Sequence, residues 1–253
     1  MDLKEFFAGI QGMEDRRAAD AHGIGKTIFD QVPGFNLQKF NERLRAGYMI
    51  EDKFTGAMLR FGMLLKNNYP QRELLRAILA GMQEGGPQRF IVLKSRKIGV
   101  STLEAVLHCE YAIQLPEWTC ATVAHTEDSA RKIFSISRNA LDRLPDAMKP
   151  PIRYNSEDRV QFGLRSKADR FDGMAQEHRA TIKAETAAGR YPLSGDTVRA
   201  LHLSECAKYD SVGDMEAQEA FILSAMGAVA KTGPSIVVAE STANGKQGWF
   251  YKT

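Results

Sequence analysis

The chain has 253 residues, 43% of them hydrophobic and 26% charged, enough for one sizeable core with at most a small appendage. Its 34 basic and 31 acidic side chains leave a formal net charge of +3, which permits a nucleic-acid partner without arguing for one. No apolar run approaches the roughly 20 residues of a membrane span, and Met1-Asp2-Leu3-Lys4-Glu5 lacks the apolar core of a secretory signal. The three cysteines, Cys109, Cys120 and Cys206, are odd in number and widely spaced. They read as reduced, mostly buried thiols of a cytosolic protein.

In chain order, residues 1–50 are polar with short apolar clusters such as Phe6-Phe7 and Ile28-Phe29, broken at Pro33-Gly34, and the N-terminal segment they open runs over 1–66. They read as an irregular, mostly helical N-terminal segment, with a larger α/β domain over 67–253. Leu74, Leu75, Ile78, Leu79 and Met82 recur at helical spacing, and Gly85-Gly86-Pro87 ends that helix. Arg89 to Leu93 is a short apolar run of the kind that makes a buried parallel strand. A glycine-containing loop and a helix from Ser101 to Gln114 follow. Cys120 to Ala124 is a second strand, and Asp128 to Leu144 a helix stopped by Pro145. Val160-Gln161-Phe162 and Ala180-Thr181-Ile182 read as strands around a polar loop. Val198 to Leu203 is a strand, Asp214 to Val229 a helix, and Ser235 to Ala239 a last buried strand.

Strands alternating with helices imply a mainly parallel sheet covered on both faces. Ligands of such sheets bind beyond the carboxyl ends of the strands. Three strand ends here carry polar residues: Lys94 to Thr102, Ser204-Glu205, and Glu240 to Gly245.

Two stretches compete as a phosphate-binding loop. Gly25-Lys26-Thr27 matches the tail of a Walker A motif, but position 20, where its first glycine belongs, is Asp20. Glu14-Asp15-Arg16-Arg17 upstream is no strand, so this loop lacks the strand and helix that hold a phosphate. Lys94-Ser95-Arg96-Lys97-Ile98-Gly99-Val100-Ser101-Thr102 has a less regular pattern in the required context, after an apolar strand and at the start of a helix. Gly99 allows close backbone approach, and Ser101 sits where a hydroxyl would coordinate Mg²⁺. The lysine usual before that hydroxyl is replaced by Val100, while Lys94, Arg96 and Lys97 place positive charge earlier.

Ala200-Leu201-His202-Leu203-Ser204-Glu205 resembles a Walker B strand. Glu205 is the candidate base for the attacking water. Ser204 stands where an aspartate is usual, with a hydroxyl that can still bond a metal-bound water. After the last strand, Ser241, Thr242 and Asn244 offer hydroxyls and an amide suited to sensing a phosphate. The five histidines show no metal-ligand spacing, and His202 reads as a core residue.

These three motifs, in this order, resemble those of the large terminase subunits of tailed bacteriophages, over about Asn68 to Gly248. That family has loops like Lys-Ser-Arg-Lys-Ile-Gly-Val-Ser-Thr, Walker B strands ending in Leu-Ser-Glu, and coupling motifs like Glu-Ser-Thr-Ala-Asn-Gly. The resemblance implies a P-loop NTPase domain of the ASCE type that hydrolyses ATP with Mg²⁺. Residues 94–102 would cradle the phosphates, with Arg96 as a sensor. Ser101 and Ser204 would serve the metal, Glu205 would activate water, and Ser241, Thr242 and Asn244 would couple phosphate loss to movement. Gln71 matches an upstream glutamine that contacts adenine. A trans-acting arginine finger belongs shortly before the Walker B strand, with Arg190 first and Arg199 second.

The implied partners are double-stranded DNA, a viral portal protein, a small terminase subunit and further copies of the chain in a ring on the procapsid, with no membrane. The implied location is the cytoplasm of the infected bacterial host. The family's C-terminal nuclease has no counterpart before Thr253, so no nuclease activity is expected of these residues. The alternatives are another ASCE-type helicase or translocase, or an assembly module that binds nucleotide without hydrolysing it.

Overall fold

The computed structural model describes residues 35–52, 55–84, 86–163, 178–187, 193, 195–212, 215–246 and 248–252. Helix α1 (Leu37–Ala46) opens on Asn36, whose side chain accepts from the Lys39 N–H and so satisfies one orphan donor of the first turn. A short antiparallel pair, β1 (Met49–Glu51) and β2 (Met58–Arg60), leads into α2 (Phe61–Asn67) and α3 (Tyr69–Glu84). Then come β3 (Pro87–Leu93), α4 (Val100–Gln114), β4 (Thr119–Ala124) and α5 (Glu127–Arg143). The start of α5 is set by Thr126, which accepts from the Ser129 N–H, and by Glu127 and Asp128 in the first turn, whose charges suit the helix dipole.

Strands β5 (Ile152–Asn155), β6 (Arg159–Phe162) and β7 (Thr181–Thr186) follow. The remainder is β8 (Ala200–Ser204), a 3-10 stretch over Cys206–Val212, α6 (Met215–Gly227), β9 (Ser235–Ser241) and a final turn, α7 (Trp249–Lys252). β5 and the β1–β2 pair carry no strand signal of their own in the sequence. Both are short, and the rest of the sheet or core supplies what their own periodicity cannot.

The main sheet has seven strands in the order β3-β9-β8-β4-β7-β6-β5. The five from β3 to β7 are parallel, and β6 and β5 extend the sheet antiparallel. The apolar run at 89–93 forms a strand, but an edge strand and not a buried one, with Ile91 48% and Leu93 70% exposed. A continuous apolar run cannot by itself tell an edge from a centre.

Period-two alternation sorts the strands' side chains onto two cores. Cys120 and Ala124 of β4, Ala200 of β8, and Ile236 and Val238 of β9 join one core with α1, α3, α4 and α5. Ala121, Val123, Leu201, Leu203, Val237 and Ala239 face the other, which α6 and the 3-10 stretch cover. Residues 35–66 share the first core: Phe40, Leu44, Tyr48, Phe61 and Leu65 are fully or almost fully buried there. A buried ion pair fixes this segment to α4. Glu110 accepts from Arg43 Nε at 3.0 and 2.9 Å and from the Tyr48 hydroxyl at 2.7 Å. All three cysteines are buried and unpaired as disulfides.

Candidate active site

The strand order places β9 between β3 and β8, so the ends of β3, β9 and β8 lie side by side. Register aligns Leu93 with Ser241, and Ser204 with Glu240. The three polar strand ends found in the sequence therefore meet at one edge of the sheet.

The loop after β3 reaches α4 through two residues in the left-handed region, Lys97 (φ 63°) and Gly99 (φ 85°). Gly99 is the N-cap of α4, and no side chain caps the helix. Its carbonyl accepts from the Thr102 and Leu103 N–H groups at 3.1 and 3.0 Å. An uncapped helix start behind a glycine is suited to an anion, because the first-turn N–H groups and the dipole both favour negative charge. Two side chains of the α2–α3 junction hold the loop from behind. Asn68 Nδ2 donates to the Ile98 carbonyl at 2.8 Å, and Gln71 Nε2 to the Gly99 carbonyl at 2.6 Å. A Cβ on Gly99 would lie 2.5 Å from Gln71 Nε2, so this close approach as well as the positive φ requires glycine. Gln71, expected near adenine, is thus buried against the loop itself. Ser95, Arg96 and Lys97 are exposed, Ile98 is half-buried, and Val100 packs inward.

Lys94 is the centre of the site. Its ammonium lies 2.7 Å from Glu205 Oε1 and 3.0 Å from Glu240 Oε2, with the lysine side chain only 7% exposed. Burial opposes its charge, but the Glu205 hydrogen bond and the Glu240 charge outweigh this and raise its pKa.

Glu205 follows β8 in the left-handed region (φ 53°), a conformation that costs a non-glycine residue roughly 1–2 kcal/mol. Its second oxygen accepts from Thr242 Oγ1 at 3.0 Å and pairs with Lys208 Nζ at 2.9 Å. Against the opposing effect of burial, Lys94 and Lys208 hold this carboxyl down to about 2. The predicted coupling segment touches it directly. Besides Thr242, Ser241 Oγ accepts from the Ala207 N–H at 3.2 Å, and Asn244 Nδ2 donates to the Ala207 carbonyl at 2.9 Å. The β8 end and the β9 end are thus one hydrogen-bonded unit.

Two residues of the site carry no role in the sequence reading. Lys208 is one, since it lies past the Walker B-like strand and reaches back through the 3-10 stretch. Glu240 is the other. It is fully buried, and its Oε1 accepts from Ser101 Oγ at 3.0 Å, Ser204 Oγ at 2.9 Å and His202 Nε2 at 3.3 Å. Burial opposes its ionisation, but the His202 hydrogen bond and Lys94 win and hold it below the usual carboxylate range. A glutamate in register with an apolar run is its sequence signal, because a buried charge needs partners. His202 lies in the core as expected, yet it touches the site through Glu240. Behind it, on the face of α4 that covers these strands, lie the buried Glu104 and His108.

Arg190 and the loop candidate Lys26 lie outside the described residues. Arg199, the second finger candidate, donates to the Thr232 and Pro234 carbonyls at 3.0 Å each, at the amino end of β8 and far from this chain's own loop. The donor set fits Mg²⁺: Ser101 and Ser204 offer hydroxyl oxygens beside a carboxylate, and Mg²⁺ favours oxygen ligands with few protein groups plus phosphate. Among the described residues, no three His, Cys, Asp or Glu side chains cluster as a metal cage.

No protein-family model and no curated protein matches the chain by sequence. Solved structures do. The large terminase ATPase domain of Thermus phage P74-26 superposes with a TM-score of 0.53 at 20% identity, over 80% of this chain and 73% of that one. An arginine-to-alanine mutant of it gives 0.52 at 21% identity, over 80% and 74%. The HK97 bacteriophage large terminase gives 0.53 at 13% identity, over 81% of this chain and 37% of that longer one. The chain has the fold of a large terminase ATPase domain. The mainly parallel seven-stranded sheet flanked by helices is consistent with the P-loop NTPase-like fold class expected from the motifs; the insertion of β9 between β3 and β8 is no part of that expectation. No described helix is long and apolar enough to cross a membrane.

Proposed function

We propose that this chain is the ATPase domain of a viral DNA-packaging motor, coupling ATP hydrolysis to translocation of double-stranded DNA into a procapsid. The observation that carries this reading is the continuous path from Lys94 through Glu205 to Thr242, at three adjacent strand ends. It joins a phosphate-loop lysine, a candidate base and a candidate coupling segment without an intervening residue.

Backbone groups of 95–102 receive the phosphates, with Lys94 and Lys97 adding charge and Arg96 as a sensor. Ser101 and Ser204 would hold Mg²⁺, which would supply positive charge to offset that of the phosphates. Gln71 positions Gly99 through the Gly99 carbonyl, and an adenine contact of this glutamine is the part of the reading its burial does not support. Glu205 takes the proton of the attacking water. While both its oxygens face lysines it is a weak base, so phosphate must first draw Lys94 toward itself. That same displacement alters the group to which Thr242 is bonded, and so links phosphate occupancy to the 241–244 segment. Arg190 from an adjacent copy completes the charge around the phosphate, in a ring seated on a portal and served by a small terminase subunit in the host cytoplasm.

Glu205→Gln tests the reading, since it keeps shape and removes the base. ATP should still bind while phosphate release falls by about 100-fold or more, the scale of lost general-base catalysis. Unchanged turnover overturns the proposal. A strand-displacement assay separates a packaging motor, which leaves the duplex intact, from a helicase.

A further inference from the structure

Resting on the nucleotide reading above, the geometry points to Glu240 as the carboxylate of the Mg²⁺ site, taking over from the neighbouring strand the place that Ser204 vacates on β8. Ser204 and Glu240 are register partners on adjacent parallel strands, and alternation puts both on the face covered by α4. Ser204 Oγ lies 2.9 Å from Glu240 Oε1, so a short side chain on one strand and a longer one on the next deliver a carboxylate oxygen to the end of β8. The same oxygen accepts from Ser101 Oγ at 3.0 Å, the hydroxyl at the start of α4 that would ligate the metal. Its other oxygen is held by Lys94 at 3.0 Å. A metal site at Ser101 needs a negative partner to orient the hydroxyl and to accept from metal-bound water. Of the two carboxylates that hold Lys94, Glu205 also faces Lys208 and Thr242, and Glu240 faces the Ser101 and Ser204 hydroxyls. Full burial of Glu240 makes little sense for a surface-charge role. It fits a group whose partners are a lysine, two hydroxyls, an imidazole and a divalent ion.

The test reads metal dependence, not turnover. The full chain is titrated with a fluorescent ADP in EDTA and again over a series of Mg²⁺ concentrations. In the unaltered protein Mg²⁺ should tighten ADP binding. Glu240→Gln keeps the shape and an oxygen that can accept from Ser101 and Ser204 but gives up the Lys94 ion pair, so each protein's binding in EDTA serves as its own metal-free baseline. The Mg²⁺ concentration giving half the tightening should rise about 10–100-fold, the usual loss when a group supporting a metal ligand is removed. Returning the carboxylate to β8, in Ser204→Asp with Glu240→Ser, should recover most of that loss. Unaltered metal dependence in Glu240→Gln overturns the assignment. Failure of the unaltered protein to bind ADP in either condition instead overturns the nucleotide reading. A second measurement needs no variant: Fe²⁺ replaces Mg²⁺ in the ADP-bound protein, and ascorbate with peroxide cleaves the backbone next to the ion. Cuts beside both Ser101 and Glu240 support the site, and a pattern lacking the cut beside Glu240 overturns it.

Discussion

Glu104→Gln should make the protein more stable at neutral and alkaline pH, with a gain that disappears in mild acid. Glu104 lies on α4, fully buried against the back of the site, and its Oε1 finds no hydrogen-bond partner among the described residues. Burial is the main cause that lifts its pKa to about 7 from an ordinary 4.5. His202 opposes the rise and Glu240 adds to it. The sign follows from linkage. Below pH 4.5 both folded and unfolded chains hold the proton and no penalty exists. Between 4.5 and 7 the unfolded chain releases it while the folded chain retains it, so stability falls as pH rises, by about 1.4 kcal/mol per unit. Above pH 7 the full penalty is about 3 kcal/mol, the free-energy equivalent of a pKa lifted from 4.5 to about 7. Glutamine fills the same space and cannot ionise. Relative to the unaltered protein, the variant should therefore gain about 3 kcal/mol between pH 4.5 and 8, or roughly 6–12 °C in Tm for a chain of this size. Thermal melts followed by circular dichroism at pH 5 and pH 8 read the difference directly, and groups unaffected by the substitution cancel. Parallel stability–pH curves for the two proteins would falsify the reasoning.

Three further outcomes are expected. Lys94→Ala should lower steady-state phosphate release by about 100-fold or more, the scale of losing one electrostatic stabiliser, whereas Lys26→Ala should leave it nearly intact. Equal losses would move the phosphate loop to the N-terminal segment. Thr242→Val removes a hydroxyl bonded at 3.0 Å to the candidate base. It should cut kcat by about tenfold, the weight of one hydrogen bond to a charged group, with ADP affinity unchanged, and a drop in affinity instead would place Thr242 on the nucleotide. Arg190→Ala and Glu205→Gln proteins, each inactive, should regain part of the ATPase rate on mixing, because each supplies what the other lacks; a mixture that stays inactive while both associate normally removes Arg190 as the trans finger.

The sequence by itself determined the alternation of strands and helices. Apolar runs such as Ser235 to Ala239 and helical spacing such as Leu74, Leu75, Ile78 and Leu79 are local signals, set by which side of one element is buried. It also determined which loop lies in a strand–loop–helix context, because Gly99 and the apolar run before Lys94 are adjacent in the chain. What it left open depends on neighbours far away in sequence. The edge position of β3 follows from strand order, and no run of residues records strand order. The place of Glu240 follows from β9 lying between β3 and β8. Only that insertion brings a residue at position 240 within hydrogen-bond distance of Ser101, 139 residues earlier. Lys208 joins Glu205 only because Glu205 takes a left-handed turn after β8. The missing aspartate of the Walker B-like strand reads as a defect along the chain. Across the sheet, the register of Ser204 with Glu240 puts a carboxylate oxygen 2.9 Å from the Ser204 hydroxyl, because pairing between strands, and not order within one, decides which side chains share a site.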